Sequence, residues 1–203
     1  MTPEIIEPTH IRGRASQERI VRAILGLIET TPFDQLTIAA IMEEAGMAVG
    51  TFYRRFKTKE SVLPFVFKAY DELFVDWAAG FAASEPTSRD EMIELVVRRT
   101  AALFSEHAGL IRTVHLYDRL HPGIRPATSS RPGLVHLMGA VLAKDFDQPT
   151  PDDLTKGSMA MLTMVSVLTE YSLYPAHSPA NGASLDGLEV QTMLIEMLKA
   201  LDS

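Results

Sequence analysis

Between Ala48 and Lys59 the chain carries four cations, Arg54, Arg55, Lys57 and Lys59, and no acidic side chain. The hydroxyls of Thr51, Tyr53 and Thr58 are interleaved with them. Guanidinium and ammonium groups among hydroxyl donors suit recognition of phosphate oxygens, which needs donors but no bond-breaking. Arg54 can also span the edge of a guanine bidentately, and Thr51 can meet either a thymine methyl or a phosphate. Thr58 is an expected helix N-cap, which puts Lys59 in a first helical turn where a cation opposes the helix dipole. A bound anion reverses that penalty, so Lys59 and the free N–H groups beside it are an expected phosphate clamp.

A second constellation is His115, Asp118 and His121. His115 and Asp118 share a helical face, and a metal or acid–base site is the chemistry they suggest. The spacing of the two histidines does not match the three or four residues that helical metal ligands need, and the chain has no cysteine. No glycine-rich phosphate loop, nucleophile elbow or paired His–Glu metal motif is present. The expectation is a protein with no catalytic residue, no resident metal and no cofactor.

The elements that must hold the basic run are legible around it. Thr37 is an expected N-cap, and Ile38, Ile41, Met42 and Ala45 then fall on one helical face. Gly46 stands where that helix must stop, in a conformation glycine enters without steric penalty. Val49, Phe52 and Phe56 form a second apolar stripe, opposite Gly50, Thr51, Tyr53 and Arg54. Two short helices about a glycine turn make a helix-turn-helix. Ahead of it, Ser16 is expected to cap a helix with Ile20, Ile24, Leu27 and Ile28 on its apolar face, ended by Thr30–Thr31–Pro32. Arg12 and Arg14 precede that helix, and two readings stand for them: an arm that reaches into a minor groove, or a loose terminus.

Residues 12–65 resemble the DNA-binding domain of the TetR family of transcriptional regulators. The resemblance rests on Thr37, Ala45–Gly46, Gly50–Thr51–Phe52–Tyr53, Phe56 and Lys57–Thr58–Lys59–Glu60. It implies an all-α homodimer with an N-terminal three-helix helix-turn-helix domain (1–60) and a C-terminal helical domain for effector binding and dimerisation (61–203). It implies DNA contacts from Thr37, Ala48, Val49, Gly50, Thr51, Tyr53, Arg54 and Lys59. It further implies a regulator, expected to be a repressor, that binds a palindromic operator and is released by a small apolar or amphipathic effector. Three positions depart from the family pattern. Ala48 replaces a serine that caps the recognition helix, which removes a bond typically worth ~1 kcal/mol. Met42 replaces a small residue, so the two helices are expected slightly further apart. Pro64 is expected about six residues into the fourth helix, where it would kink or restart it, and the kink is read as part of signal transmission.

The charge distribution agrees with a DNA reader. The net charge is −7, yet residues 1–60 hold eight basic and eight acidic side chains, and the remaining eleven basic and eighteen acidic residues carry the whole excess. A local positive footprint, not a basic total, is what nucleic acid requires. No secretory signal pattern opens the sequence and no apolar run reaches the ~20 residues that span a bilayer. A cytoplasmic protein without membrane association is expected.

The rest of the chain reads as helix. An amphipathic helix follows Pro64 through Phe81, and Ser88–Arg–Asp–Glu91 is a capping box for the next. Further helices are expected over Ala108–Leu120, over 131–146, from Thr150–Pro151 to about 174, and over 185–201. The stretch Gly157–Thr169 holds no charge, so it is expected to be covered on every side. The helices 151–174 and 185–201, with their copies, are expected to form a four-helix dimer interface. Trp77, Phe81, Phe104, Met138, Met159, Met161, Met164 and Tyr171 are candidates for the wall of an effector cavity. His107, His115, Tyr117, Asp118, His121 and His136 are candidates for its polar anchors. The other reading of the same helices is a small-molecule-binding bundle without a DNA role.

Overall fold

The computed structural model describes residues 11–81, 84, 86, 88–121, 123–125, 136, 139–142, 150–173 and 187–200. Its elements are helical: α1 (Ile11–Leu27), α2 (Ile38–Glu44), α3 (Val49–Tyr53), α4 (Leu63–Ala79), α5 (Arg89–Glu106), α6 (Ala108–Leu120), α7 (Pro151–Leu173) and α8 (Leu188–Ala200). Two 3-10 turns, Phe33–Gln35 and Lys59–Val62, lead into α2 and α4. Residues 139–142 are also helical, within the span expected at 131–146. Met138 and residues 174–186 lie outside the described residues.

The chain packs as two compact units, one of Met1–Tyr70 with Gly109–Ser129 and the other of Asp71–Ala108 with Ser130–Ser203. In the first unit α1, α2 and α3 close on Ile20, Ile24, Ile28, Ile41, Met42, Phe52 and Phe56, none of which is exposed. Fully burying a side chain of this kind is worth roughly 1.5–3 kcal/mol, enough to hold three short helices that would not persist alone. Met42 fits this core with no exposed surface. The Arg19 guanidinium donates to the Ala45 carbonyl at 2.6 Å and so satisfies the C-terminus of α2 from α1.

Helix α6 belongs to this same unit. Its first turn has no acidic residue of its own. Glu29, just past α1, supplies one: its carboxylate accepts from the N–H groups of Gly109 at 2.8 Å and Leu110 at 3.3 Å. A negative charge there offsets the unsatisfied donors of a helix start. The approach is so close that a Cβ on Gly109 would overlap the Ile28 carbonyl oxygen and the Glu29 backbone.

The second unit is organised on α5, which buries Met92, Ile93, Val96, Val97, Thr100, Ala101, Leu103 and Phe104 against α7 and α8. Ser88 caps α5 by accepting from the Glu91 N–H at 3.3 Å. Thr150 and Asp153 bond reciprocally at the start of α7, as the Thr–Pro–Asp–Asp run implies. Two hydrogen bonds from Thr150 hold the Asp153 carboxyl below its usual range. On α8, Lys199 pairs with Asp90 at 3.0 Å and Glu94 at 3.3 Å of α5.

Three expectations change, those for α1, α4 and the start of α8. Helix α1 begins at Ile11, so Ser16 lies inside it and not at its N-cap. Helix α4 begins at Leu63 after the 3-10 turn, which puts Pro64 in its first turn, where a missing N–H does no harm. The helix restarts rather than kinks, and the kink invoked for signal transmission has no place to act. Within the single chain, helix α7 buries Met161, Met164, Val165 and Leu168 and leaves Met159 and Leu162 exposed, as covering by its own unit on one side implies. Helix α8 begins at Leu188, with Val190, Leu194 and Leu198 on its buried face and Leu188 and Met193 outside.

Candidate nucleic-acid interface

The glycine turn forms as its sequence requires. Gly46 has φ +62°, the left-handed region that disfavours other residues, and its N–H bonds to the Glu43 carbonyl at 2.9 Å. Thr37 caps α2 by accepting from the Ala40 N–H at 3.1 Å, and its own hydroxyl hydrogen can still serve an outside acceptor. Ala48 stands at the N-cap of α3 with no side-chain bond, as its methyl side chain dictates.

Helix α3 is short, and its two faces differ sharply. Phe52 is fully buried and stacks on Phe56 at 5.3 Å, beyond the helix end. Val49 is 43% and Tyr53 54% exposed, so Val49 belongs to the outer surface and not to the apolar stripe it seems to start. Gly50 is exposed, and a Cβ built there would meet nothing within 4 Å. Packing therefore does not require a glycine at this position. Arg54 lies over the helix, its Nε donating to the Gly50 carbonyl at 3.3 Å and its Nη2 to Thr51 Oγ1 at 3.4 Å. Ala48, Val49, Gly50, Thr51, Tyr53 and Arg54 thus lie on α3 or at its caps, and Thr37 at the start of α2.

Lys59 takes a different place from the clamp its position suggests. Its ammonium donates to the carbonyls of Phe33 at 2.7 Å, Leu36 at 2.8 Å and Asp34 at 2.9 Å. It also sits over the Phe33 ring, 5.0 Å from the centroid. All three ammonium hydrogens are thereby used inside the domain, on carbonyls of the turn before α2. Two donors of this turn are engaged too: the Thr58 N–H donates to Ser61 Oγ at 3.3 Å and the Ser61 N–H to the Thr58 carbonyl at 3.2 Å. The correction has a plain cause: the carbonyls lie more than twenty residues upstream, and no local pattern announces them.

The effector candidates divide between the two units. Trp77, Phe81, Phe104, His107, Met161 and Tyr171 belong to the second unit. All of these except half-buried His107 are buried. Trp77 packs on Phe81 at 4.6 Å, and Phe74 meets Phe104 edge-on at 6.1 Å. Met159 is 59% exposed and lines an open cavity of the second unit beside Ile93, Leu142, Gly157 and Leu198, none of which was a candidate. His115 and Asp118 belong to the first unit and already have partners: Tyr70 Oη lies 3.4 Å from His115 Nε2, and Arg125 pairs with Asp118 at 3.2 Å. Arg125, which no local pattern points to, also lies over the rings of Phe67 and Tyr70. Tyr117 meets Phe33 edge-on at 5.1 Å and stacks with His121 at 5.8 Å. Burial first, and then the charges of Asp34 and Glu60, push its phenol above the usual value. Among the described residues, no three His, Asp or Glu side chains gather as a metal ion would need. No described helix is long and apolar enough to cross a membrane.

A buried three-helix support with an exposed, uncapped second helix and an open glycine defines a helix-turn-helix DNA-binding domain. Residues 20–64 match the family of bacterial regulatory proteins, tetR family. The fold likeness extends over most of the chain. A TetR-family transcriptional regulator from Mesorhizobium loti MAFF303099 superimposes with a TM-score of 0.70 at 14% identity, over 95% of this chain and 98% of that one. The fatty acid degradation regulator FadR from Bacillus halodurans does so with a TM-score of 0.61 at 20% identity, over 95% and 96%. FadR from Bacillus subtilis, solved with stearoyl-CoA, gives 0.60 at 18%, over 89% and 96%. No curated protein matches in sequence. Residues 20–64 thus carry the DNA-binding domain of the tetR family of bacterial regulatory proteins, and the chain shares the fold of these solved regulators. That family regulates transcription and does not catalyse reactions.

Proposed function

We propose that this protein is a ligand-responsive repressor that grips a palindromic operator as a homodimer. Residues 1–60 read DNA, and residues 61–203 bind the effector and dimerise. The observation that carries the reading is Gly50: a glycine that packing does not need, at the exposed centre of α3, leaves room for another molecule's surface. Val49, Thr51, Tyr53 and Arg54 surround it, and Thr37 stands at the start of α2. On this reading α3 enters a major groove, Arg54 reads a base edge, and Thr37 and Tyr53 position the domain on phosphates. The two half-sites lie about 34–36 Å apart. Arg54→Ala is expected to cost about 1–3 kcal/mol at the preferred base and to relax selection there. Binding-site selection from random duplexes checks it; an unchanged preferred sequence overturns the assignment of Arg54.

The dimer rests on the uncovered faces of α7 and α8. Met159, Leu162, Leu188 and Met193 are exposed there on helices whose other faces form the core. Apolar side chains grouped on two helices suit association with a second copy better than solvent. Met159→Glu with Met193→Glu is expected to shift the protein from dimer to monomer in sedimentation at micromolar concentration, with the helical content kept. A wild-type monomer at that concentration removes the dimer from the account. A small apolar or amphipathic effector favours the state that cannot bind DNA. A thousandfold preference, ~4 kcal/mol, suffices to empty most operators. The protein acts in the cytoplasm, where DNA and effector meet.

A further inference from the structure

The outer face of α3 changes character along its length. Its N-terminal end is made of Ala48, Val49 and Gly50, all exposed, and none of them carries a polar side-chain atom. The hydrogen-bonding side chains stand further along and are partly engaged with the helix itself. Arg54 Nε donates to the Gly50 carbonyl and its Nη2 to Thr51 Oγ1. Val49, 43% exposed, supplies the apolar surface of the N-terminal end. Its side chain is short, so it can touch another molecule only where the backbone itself comes close. Gly50 permits that approach, because no side chain rises from the open surface next to Val49.

We infer that Val49 is a specificity-determining residue that reads the C5 methyl of a thymine in each half-site. This role presupposes α3 docked in a major groove, the reading given above. The first residues of a recognition helix are the ones that meet base edges, and Val49 is the first residue of α3. The thymine methyl is the one apolar group that the base edges present in that groove; the rest are hydrogen-bond donors and acceptors. Against a methyl, valine buries apolar surface on both sides. Against any other edge it strips water from a polar group and offers no partner in return. The discrimination therefore comes from contact with the methyl and from the cost of covering anything else. One consequence is particular to this chemistry. A 5-methylcytosine carries the same methyl at the same ring position, so methylation of a cytosine placed there strengthens binding.

The experiment first selects a preferred duplex from a random pool with the full-length protein. Each thymine of that duplex is then replaced in turn, in both half-sites, by deoxyuridine, which lacks only the methyl. Fluorescence anisotropy at one fixed salt concentration gives the Kd. At one position the wild type is expected to lose about fourfold in affinity per half-site, the worth of burying one methyl group, and roughly sixteenfold for the symmetric replacement. Val49→Ala should lose most of that difference, and Val49→Ile should keep it. With cytosine at the same position, 5-methylcytosine should raise wild-type affinity by about fourfold per half-site, because the methyl leaves the hydrogen-bonding edge unchanged. The absence of a deoxyuridine penalty at every thymine, an equal penalty in wild type and Val49→Ala, or a 5-methylcytosine duplex bound no tighter than its cytosine counterpart overturns the assignment. If duplex binding persists without dependence on any methyl, the DNA-reading role stands and only this role of Val49 falls. Failure to bind any duplex removes both.

Discussion

Gly109→Ala is expected to destabilise the unit that carries the reading helix by about 3 kcal/mol, the upper end for an overpacked core position. The added methyl would overlap the Ile28 carbonyl oxygen and press on the Glu29 backbone. Neither is the movable end of a side chain, so α6 must withdraw from α1. Withdrawal also breaks the two bonds by which Glu29 satisfies the Gly109 and Leu110 N–H groups. In a chain of this size the loss corresponds to roughly 6–12 °C in midpoint temperature. Thermal unfolding of the variant against wild type measures it. Glu29→Gln keeps the shape, removes only the charge, and is expected to cost about 1 kcal/mol. An unshifted midpoint in Gly109→Ala would show that α6 does not rest on α1 in solution.

Lys59→Met carries the second large effect. The substitution keeps the stem over Phe33 but leaves three carbonyls, of Phe33, Asp34 and Leu36, without their shared donor. Bonds to a charged group contribute about 1.5–3 kcal/mol each when fully buried, and these are only partly so; a total near 3 kcal/mol is expected. The consequence for DNA separates the two roles a lysine can have here. A lysine lying on a phosphate would, when removed, flatten the salt dependence of binding by about one unit. One that braces the turn before α2 would weaken binding to every sequence through lost geometry, with the salt slope unchanged. The second result is expected. Denaturant unfolding and binding isotherms at several salt concentrations together decide it, and a flattened slope with full stability restores the clamp.

Where the sequence anticipated this structure, the signals were local. Thr37 as a cap, Gly46 as a left-handed stop, Ser88 and Thr150–Pro151 as helix starts, and α6 from Ala108 to Leu120 all depend on bonds within a few residues. Where it did not, the determinant was distant or hidden in burial. Ser16 has the composition of a cap, but α1 runs back to Ile11 and passes through it. Lys59 reads as an exposed cation because its carbonyl partners are remote in the chain. His115 and Asp118 read as a chemical pair, whereas Tyr70 and Arg125 already engage them. The uncharged stretch of α7 implies burial all round, yet within the single chain Met159 and Leu162 stay exposed. The reading helix itself was the most legible part, since Gly50, Thr51, Tyr53 and Arg54 sit on one face of a helix whose other face is anchored by Phe52.

The central claim is that the exposed face of α3 meets duplex DNA, and a salt titration with selected duplexes tests it most directly. Association is expected to be tight at low ionic strength, to favour sequences with inverted half-sites, and to weaken with a log–log slope of about −0.9 for each phosphate neutralised. No association with any duplex from a random pool at low salt would contradict the account.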